Sequence, residues 1–198
     1  GLKVVFASSS SVYGHKENMP IRENAERKPI NPYGKTKLDD EYLFEKYTNL
    51  GVSIIGLRYF NIFGKGQTLS YSGVITKFLD RIKKSKSPII FGDGSQIRDF
   101  VFVGDVVKAN LAAMENESSN LLVNIGSGKD TSILQLAEMM IDFSGLPLQV
   151  IFQEPLEGDV YKSHADISLA KIFFKWQPKM ELKTWLRKII SDEDFDDI

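Results

Sequence analysis

The amino-acid sequence predicts an α/β fold built around a parallel sheet. Lys3-Val-Val-Phe-Ala7 reads as a short buried strand, and Val52 to Tyr59 as a second apolar, β-rich strand. Between them, residues 32–49 carry a helical pattern through Leu38, Tyr42, Leu43, Phe44 and Tyr47. Strand, helix and strand at this spacing imply a right-handed crossover joining parallel neighbours.

The elements can be justified in order. The first strand covers residues 2–7, and the loop after it runs to Ile30 and is polar, with Pro20 and Pro29. A loop this long in a compact domain is usually functional or disordered, so it is expected to form part of a site's rim. His15, inside it, reads as a solvated loop histidine. Asn31-Pro-Tyr-Gly-Lys-Thr-Lys37 then starts the helix. Asn31 is a good N-cap, Pro32 lacks the amide hydrogen that the first turn leaves unused, and Gly51 stops the helix.

After Asn61 the chain passes Gly64, Gly66 and Tyr71 in a loop and enters a helix from about Ser72 to Lys84. Pro88-Ile-Ile-Phe91 is a short strand turned by Gly92-Asp-Gly94, and Ile97 to Val103 is extended. A helix is expected near 104–116, a strand at Leu121 to Ile125, and a helix over 132–143 capped by Asp130 or Thr131. Leu148 to Phe152 is a further strand, followed by short helices near 167–174 and 181–190. The acidic residues from Asp192 to Asp197 read as a solvated, frayed end.

Composition narrows the function classes. With 198 residues, no cysteine and 42% hydrophobic content, the chain can bury a core without disulfides. A net charge of −1 gives no basic footprint for nucleic acid. No apolar run approaches the roughly 20 residues of a membrane span, and no leader pattern opens the chain. The expectation is a cytoplasmic protein without nucleic-acid or membrane partners. No cysteine or paired-histidine constellation suggests a metal. Gly126-Ser-Gly-Lys129 lacks the full spacing of a phosphate loop and reads as a strand-to-helix turn.

Reactive chemistry concentrates near the start. Tyr33 and Lys37 are four residues apart, one above the other on a helix face. The ammonium stabilises phenolate, so the tyrosine oxygen can take and return a proton. An amphipathic helix with an exposed lysine would carry the same spacing. About 24 residues upstream of Tyr33 lies the hydroxyl-rich run Ser8 to Ser11, followed by Val12-Tyr13-Gly14. A turn rich in small polar residues would also use serines there.

A hydroxyl-rich strand end, then Tyr-x-x-x-Lys on a helix, resembles the extended short-chain dehydrogenase/reductase family, in particular its nucleotide-sugar epimerases. The resemblance continues through Leu57-Arg-Tyr-Phe-Asn61, Phe91-Gly-Asp-Gly94, Arg98-Asp-Phe-Val-Phe-Val103 and Ala165-Asp166. It covers nearly the whole chain in the family's order and is nearest to the UDP-glucose 4-epimerases. It implies the later part of a doubly wound, Rossmann-like parallel sheet plus a smaller α/β substrate-binding part. Residues 1–61 would complete the dinucleotide-binding domain. Residues 62–198 would mainly bind the nucleotide sugar, with about 104–125 returning to the main sheet. No glycine-rich turn between a strand and a helix is present, so about 110 residues of the family pattern are expected to be absent from this chain.

The resemblance also assigns roles. Ser9, Tyr33 and Lys37 would be catalytic, and Ala7, Ser8, Tyr33, Lys37, Tyr59 and Phe60 would contact NAD. Ser9, Ser11, Tyr33, Asn61, Val74, Ile89, Phe91, Arg98, Asp159 and Ser163 would contact the UDP-sugar. Phe60 and Ile89 could equally be core residues, and Arg98 could simply pair with Asp99. Ser10 and Ser11 stand where sugar dehydratases of the family carry an Asp-Glu pair. Hydroxyls cannot replace carboxylates as acid and base near neutral pH, which argues against dehydration.

Leu156 stands where a second diphosphate arginine is expected. Loss of one charge-assisted phosphate bond weakens binding by about 1.5–3 kcal/mol, roughly ten- to a hundredfold; Lys162 is a candidate substitute. Ser163, being small, would admit N-acetylated sugars, and His164 beside it reads as a strand-surface histidine. The implied activity is NAD-dependent inversion at C4 of a UDP-hexose by a homodimer. The alternatives are another NAD-dependent nucleotide-sugar transformation, such as decarboxylation or 4-keto reduction, and a non-catalytic nucleotide-sugar-binding fragment.

Overall fold

The computed structural model describes residues 3–68 and 73–191. Leu2, Tyr71, Ser72 and the acidic residues from Asp192, all named above, lie outside them. Strand β1 (Lys3–Ser9) runs into one 3₁₀ turn at Ser10–Val12, and helix α1 (Pro32–Asn49) leads to β2 (Ser53–Tyr59). There follow β3 (Asn61–Phe63), α2 (Val74–Lys83), β4 (Ile89–Phe91), β5 (Ile97–Arg98), β6 (Phe100–Phe102) and α3 (Val103–Glu115). The chain continues through β7 (Leu121–Ile125), β8 (Thr131–Ser132), α4 (Ile133–Ser144), β9 (Ile151–Gln153), α5 (Ser168–Phe174) and α6 (Leu182–Ile190).

The main sheet has the order β1-β2-β7, with both pairings parallel. The middle strand, Ser-Ile-Ile-Gly-Leu-Arg-Tyr, is buried along its interior, as expected for a parallel strand covered on both faces. Ser9 pairs with Tyr59 and Tyr59 with Ile125, so the three strands end level at their carboxyl ends. With helices flanking it, this is a Rossmann-like arrangement, in which ligands bind beyond the carboxyl ends of the strands. Smaller pairings, β3 with β6, β4 with β9 and β5 with β8, extend the structure beyond that end.

Three apolar clusters support these layers. One packs Ile55, Leu57, Val123 and Ile125 of the sheet against Val106 and Ala109 of α3 and Phe174 beyond. A second joins Phe63, Phe78, Phe102, Leu136, Met140 and Trp185 around α2, α4 and α6. The third holds Val12, Tyr13, Leu38, Phe60 and Ala165 beside the 3₁₀ turn.

Several boundaries differ from the sequence expectation for identifiable reasons. The cap of α4 is Ser132, which forms a reciprocal capping box with Gln135. Asp130 and Thr131 cannot cap it, because Thr131 and Ser132 stay extended to pair with Arg98 and Ile97. The predicted extended run from Ile97 to Val103 breaks at Asp99, and Val103 already opens α3. The last predicted strand begins at Ile151 rather than Leu148, because β4 offers partners only from Ile89 to Phe91.

At the carboxyl end of the sheet lies a buried polar network. Glu41 of α1 takes two hydrogen bonds from Arg58 of β2, each 2.7 Å long. Ser8 donates to Glu41 at 2.6 Å, and Arg27 at 3.2 Å. Arg58 also donates to the Tyr13 hydroxyl and the Glu23 carbonyl, and Tyr13 donates to Asn124 of β7. Burial alone would raise Glu41, but Arg58, with Ser8 and Arg27, outweighs it and holds the carboxyl below its ordinary range. Burial raises the Tyr13 hydroxyl despite the neighbouring guanidinium.

Removing one partner strands a charge in a dry site, so Glu41→Gln and Arg58→Met should each destabilise by about 3–5 kcal/mol. Urea unfolding should show the double replacement Glu41→Leu/Arg58→Met to be markedly less harmful than the two effects added. Because the Glu41 carboxyl is depressed in the folded state, its stabilisation is complete above about pH 4.3 and is lost as pH falls below that value. Stability of Glu41→Gln should therefore fall less steeply between about pH 5 and 3 than that of the parent.

Candidate active site

A cavity of about 530 Å³ opens at the carboxyl ends of β1 and β2. Its walls bring together Ser8, Ser9 and Tyr33 with Tyr59, Phe60 and Asn61, and with Val74, Ile89, Phe91, Arg98 and Asp159. These residues come from widely separated parts of the chain. Leu156 also lines it.

The helix start that carries Tyr33 is fixed by local chemistry. Asn31 accepts the Gly34 amide at 2.7 Å, and Pro32 occupies the first turn. Gly34 passes so close to the 3₁₀ turn that a Cβ there would lie 2.6 Å from the Ser11 carbonyl oxygen and 2.9 Å from Pro29. Only glycine permits this approach, which sets Tyr33 on the same cavity as Ser9. Tyr33 is 57% exposed, its ring open to the cavity and solvent.

Ser9 accepts two hydrogen bonds, from the Ser11 amide at 3.2 Å and the Ser11 hydroxyl at 2.7 Å. With its oxygen engaged as an acceptor, the Ser9 hydroxyl is left to donate its proton into the cavity. Ser11 thus reaches the site through Ser9 and is not itself on the cavity wall. Ser8 is committed to Glu41, which fixes the strand end from below.

Lys37 and Ala7 lie apart from Tyr33. They line an adjoining groove of about 360 Å³ with Phe6, Asp40 and Phe44. There the Lys37 ammonium donates to the Ala7 carbonyl at 3.0 Å and to Asp40 at 3.2 Å. The end of β1 therefore separates the two depressions, with Ala7 facing one and Ser8 and Ser9 the other.

At the far wall, Arg98 donates to Asp159 at 2.5 Å and to the Ile97 carbonyl at 2.8 Å. Burial lowers Arg98, and Asp159 works against that shift. The local pair with Asp99 does not form. Asp99 is fully buried and accepts instead from the Ser127 amide and hydroxyl, the Gly128 amide and the Ala165 amide. The Ser127 and Gly128 amides of the Gly126-Ser-Gly-Lys129 turn are directed at this internal carboxylate, which explains a phosphate-loop-like sequence without a phosphate. Burial is the dominant influence on Asp99 and raises it, against those four donors.

Two expected groups are elsewhere. Ser163 is buried and ties its amide to the Ile97 carbonyl, away from the cavity wall. Lys162 does not line the cavity either. Among the described residues, no group of three or more His, Cys, Asp or Glu side chains could hold a metal ion, and no helix is long and apolar enough to cross a membrane.

Sequence reasoning missed Glu41 and Arg58, although both left signals. Glu41 follows Tyr33 and Lys37 at one further four-residue step, and Arg58 interrupts an apolar strand, where a charge requires a partner. Gly34→Ala should displace the start of α1 and disturb the Ser9–Tyr33 geometry. Far-ultraviolet circular dichroism should remain near the parent's, while affinity for cavity ligands falls by about tenfold or more.

Comparison with known proteins agrees with this geometry. Residues 1–126 match the NAD dependent epimerase/dehydratase family. A Methanocaldococcus jannaschii protein provisionally named UDP-glucose 4-epimerase is 41% identical over 192 residues, which is 96% of this chain and 62% of that protein. The Thermotoga maritima UDP-glucose 4-epimerase, solved with UDP-glucose, superposes with a TM-score of 0.90 at 35% identity, covering 96% of this chain and 62% of its own. The Bacillus cereus UDP-glucuronic acid 4-epimerase, solved with UDP-glucuronic acid and NAD, gives 0.87 at 31% identity, with the same coverage of each. The chain thus spans about three fifths of the length of the relatives it matches. A parallel sheet ending in serines beside a Tyr-x-x-x-Lys helix and a family match over most of the sequence lead to one assignment: the chain belongs to the NAD dependent epimerase/dehydratase family.

Proposed function

We propose that this chain supplies the reactive side chains and the sugar-nucleotide cavity of an NAD-dependent enzyme that inverts C4 of a UDP-hexose, interconverting UDP-glucose and UDP-galactose. One observation carries the reading: a single cavity at the carboxyl ends of the sheet is lined by Ser9 and Tyr33 together with Arg98. Reactive groups and an anion-binding group on one cavity wall suit a sugar diphosphate. The relatives solved with UDP-glucose, and with UDP-glucuronic acid and NAD, support it.

The residues present fit the nicotinamide end of NAD. Tyr33, Tyr59 and Phe60 give aromatic surface beside Ser8 and Ser9, and Lys37, held on the Ala7 carbonyl, would bind the ribose. When bound, NAD supplies reversible hydride acceptance at C4. The chain's own residues handle the proton. Tyr33 takes it from the 4-hydroxyl oxygen and returns it, and Ser9 donates a hydrogen bond to the same oxygen. Arg98 would exchange Asp159 for the diphosphate, while Val74, Ile89 and Phe91 bound the uridine and Asn61 donates to an anionic oxygen.

In this reading residues 1–61 complete the dinucleotide-binding part, and residues 62–198 mainly bind the sugar nucleotide, with β7 set in the main sheet. A cytoplasmic homodimer, paired through α1 with its exposed Leu43 and Tyr47, belongs to the same proposal.

The test is product analysis by NMR in the full-length protein. UDP-glucose should give UDP-galactose. Tyr33→Phe should reduce kcat by about a hundredfold or more, with KM changed little. A pentose formed from UDP-glucuronic acid with loss of carbon dioxide, or reduction of a UDP-4-keto sugar, would replace epimerisation with decarboxylation or 4-keto reduction. UDP-sugar binding without turnover would make the site a binding module.

A further inference from the structure

The cavity wall carries three charged side chains among the described residues: Lys77, Arg98 and Asp159. Two of them neutralise each other, since Arg98 and Asp159 are paired at 2.5 Å. Arg98 is held firmly, only 13% exposed at its side chain, with a second donor on the Ile97 carbonyl. Lys77 differs in each respect. It is exposed, and among the described residues its ammonium has no hydrogen-bond or ion-pair partner. The cavity therefore holds one uncompensated positive charge, and it sits on a long, mobile side chain.

Its position is also suitable. Lys77 lies one turn into α2, whose opening residues Gly73, Val74 and Ile75 line the same cavity as Arg98. Leu156 lines the same cavity, an apolar side chain where the sequence pattern led us to expect a second arginine. A diphosphate brings about two negative charges, and Arg98 alone, already shared with Asp159, leaves part of that charge unmatched. Lys162, the substitute suggested by the sequence, is not on the wall.

We propose that Lys77 is the second cation of this cavity, closing on the diphosphate of a bound nucleotide and replacing the arginine absent at position 156. The proposal rests on the reading of the cavity as a sugar-nucleotide site. As a point charge on a flexible stem, lysine would give affinity without the bidentate geometry of arginine. The contact would be more sensitive to ionic strength than one made by the buried Arg98.

The experiment is isothermal titration of the full-length protein with UDP and, separately, with uridine. Lys77→Met should weaken UDP about five- to tenfold and leave uridine unchanged. Lys77→Arg should retain UDP affinity within about twofold, and Lys162→Met should match the parent. If the parent binds UDP and Lys77→Met binds it equally well, Lys77 is not the second cation, and the cavity reading survives. Equal weakening of UDP and uridine would also overturn the proposal, because the effect would then come from the shape of the wall. If the parent fails to bind UDP at all, the cavity reading falls and this proposal with it.

Discussion

Arg58 and Glu41 meet out of water where three parallel strands end, and much of the site geometry follows from that meeting. The guanidinium comes from the middle strand and the carboxylate from the helix that crosses to it. Neither could stay charged in such a place without the other, so strand and helix are locked in one register. The remaining donors and acceptors reach outward. Ser8 connects the pair to β1, Tyr13 and Asn124 connect it to β7, and the Glu23 carbonyl connects it to the long loop. A network satisfied this fully rigidifies what it touches.

The reactive groups sit one step beyond this frame. Ser8 is anchored on Glu41, and its neighbour Ser9 keeps its hydroxyl beside the cavity that both serines line. Lys37 and Tyr33 precede Glu41 by one and two turns on the same helix, which ties their placement to the buried pair. Gly34 then lets the helix start press against the serine turn. The side chains proposed to handle the proton are thus positioned by β1 and α1, while the charged residues of the cavity, Arg98, Asp159 and Lys77, come from later segments.

Much of this was legible in the sequence because the relevant signals are local. Asn31-Pro32 marks a helix start by backbone chemistry alone, and the apolar runs of β1 and β2 mark parallel strands. Only β2 is buried, because β1 was expected to be buried but lies at the edge of the sheet with Val4 exposed. Most of the residues named from the family motifs line the cavity, while Ala7 and Lys37 line the groove beside it. What escaped were consequences of pairing at a distance. The capping of α4 moved to Ser132 because β5 and β8 pair. Ser11 proved to be a hydrogen-bond partner of Ser9, and Ser163 turned inward, which neither spacing nor composition encodes. Asp99 looked like a surface partner for Arg98, but its carboxylate gathers the amides of Ser127, Gly128 and Ala165, far away in sequence. Lys77 gave no signal in an amphipathic helix until the cavity brought it onto the same wall as Arg98 and Leu156.

Amide hydrogen exchange with and without UDP-glucose tests the central claim most directly, because it reports the cavity's separate segments at once. The account predicts added protection at the end of β1, at Tyr59 to Asn61 and at the start of α2 together. Protection confined to one of these segments, or none at a concentration where UDP-glucose is bound, would contradict a single sugar-nucleotide site at the carboxyl ends of the sheet.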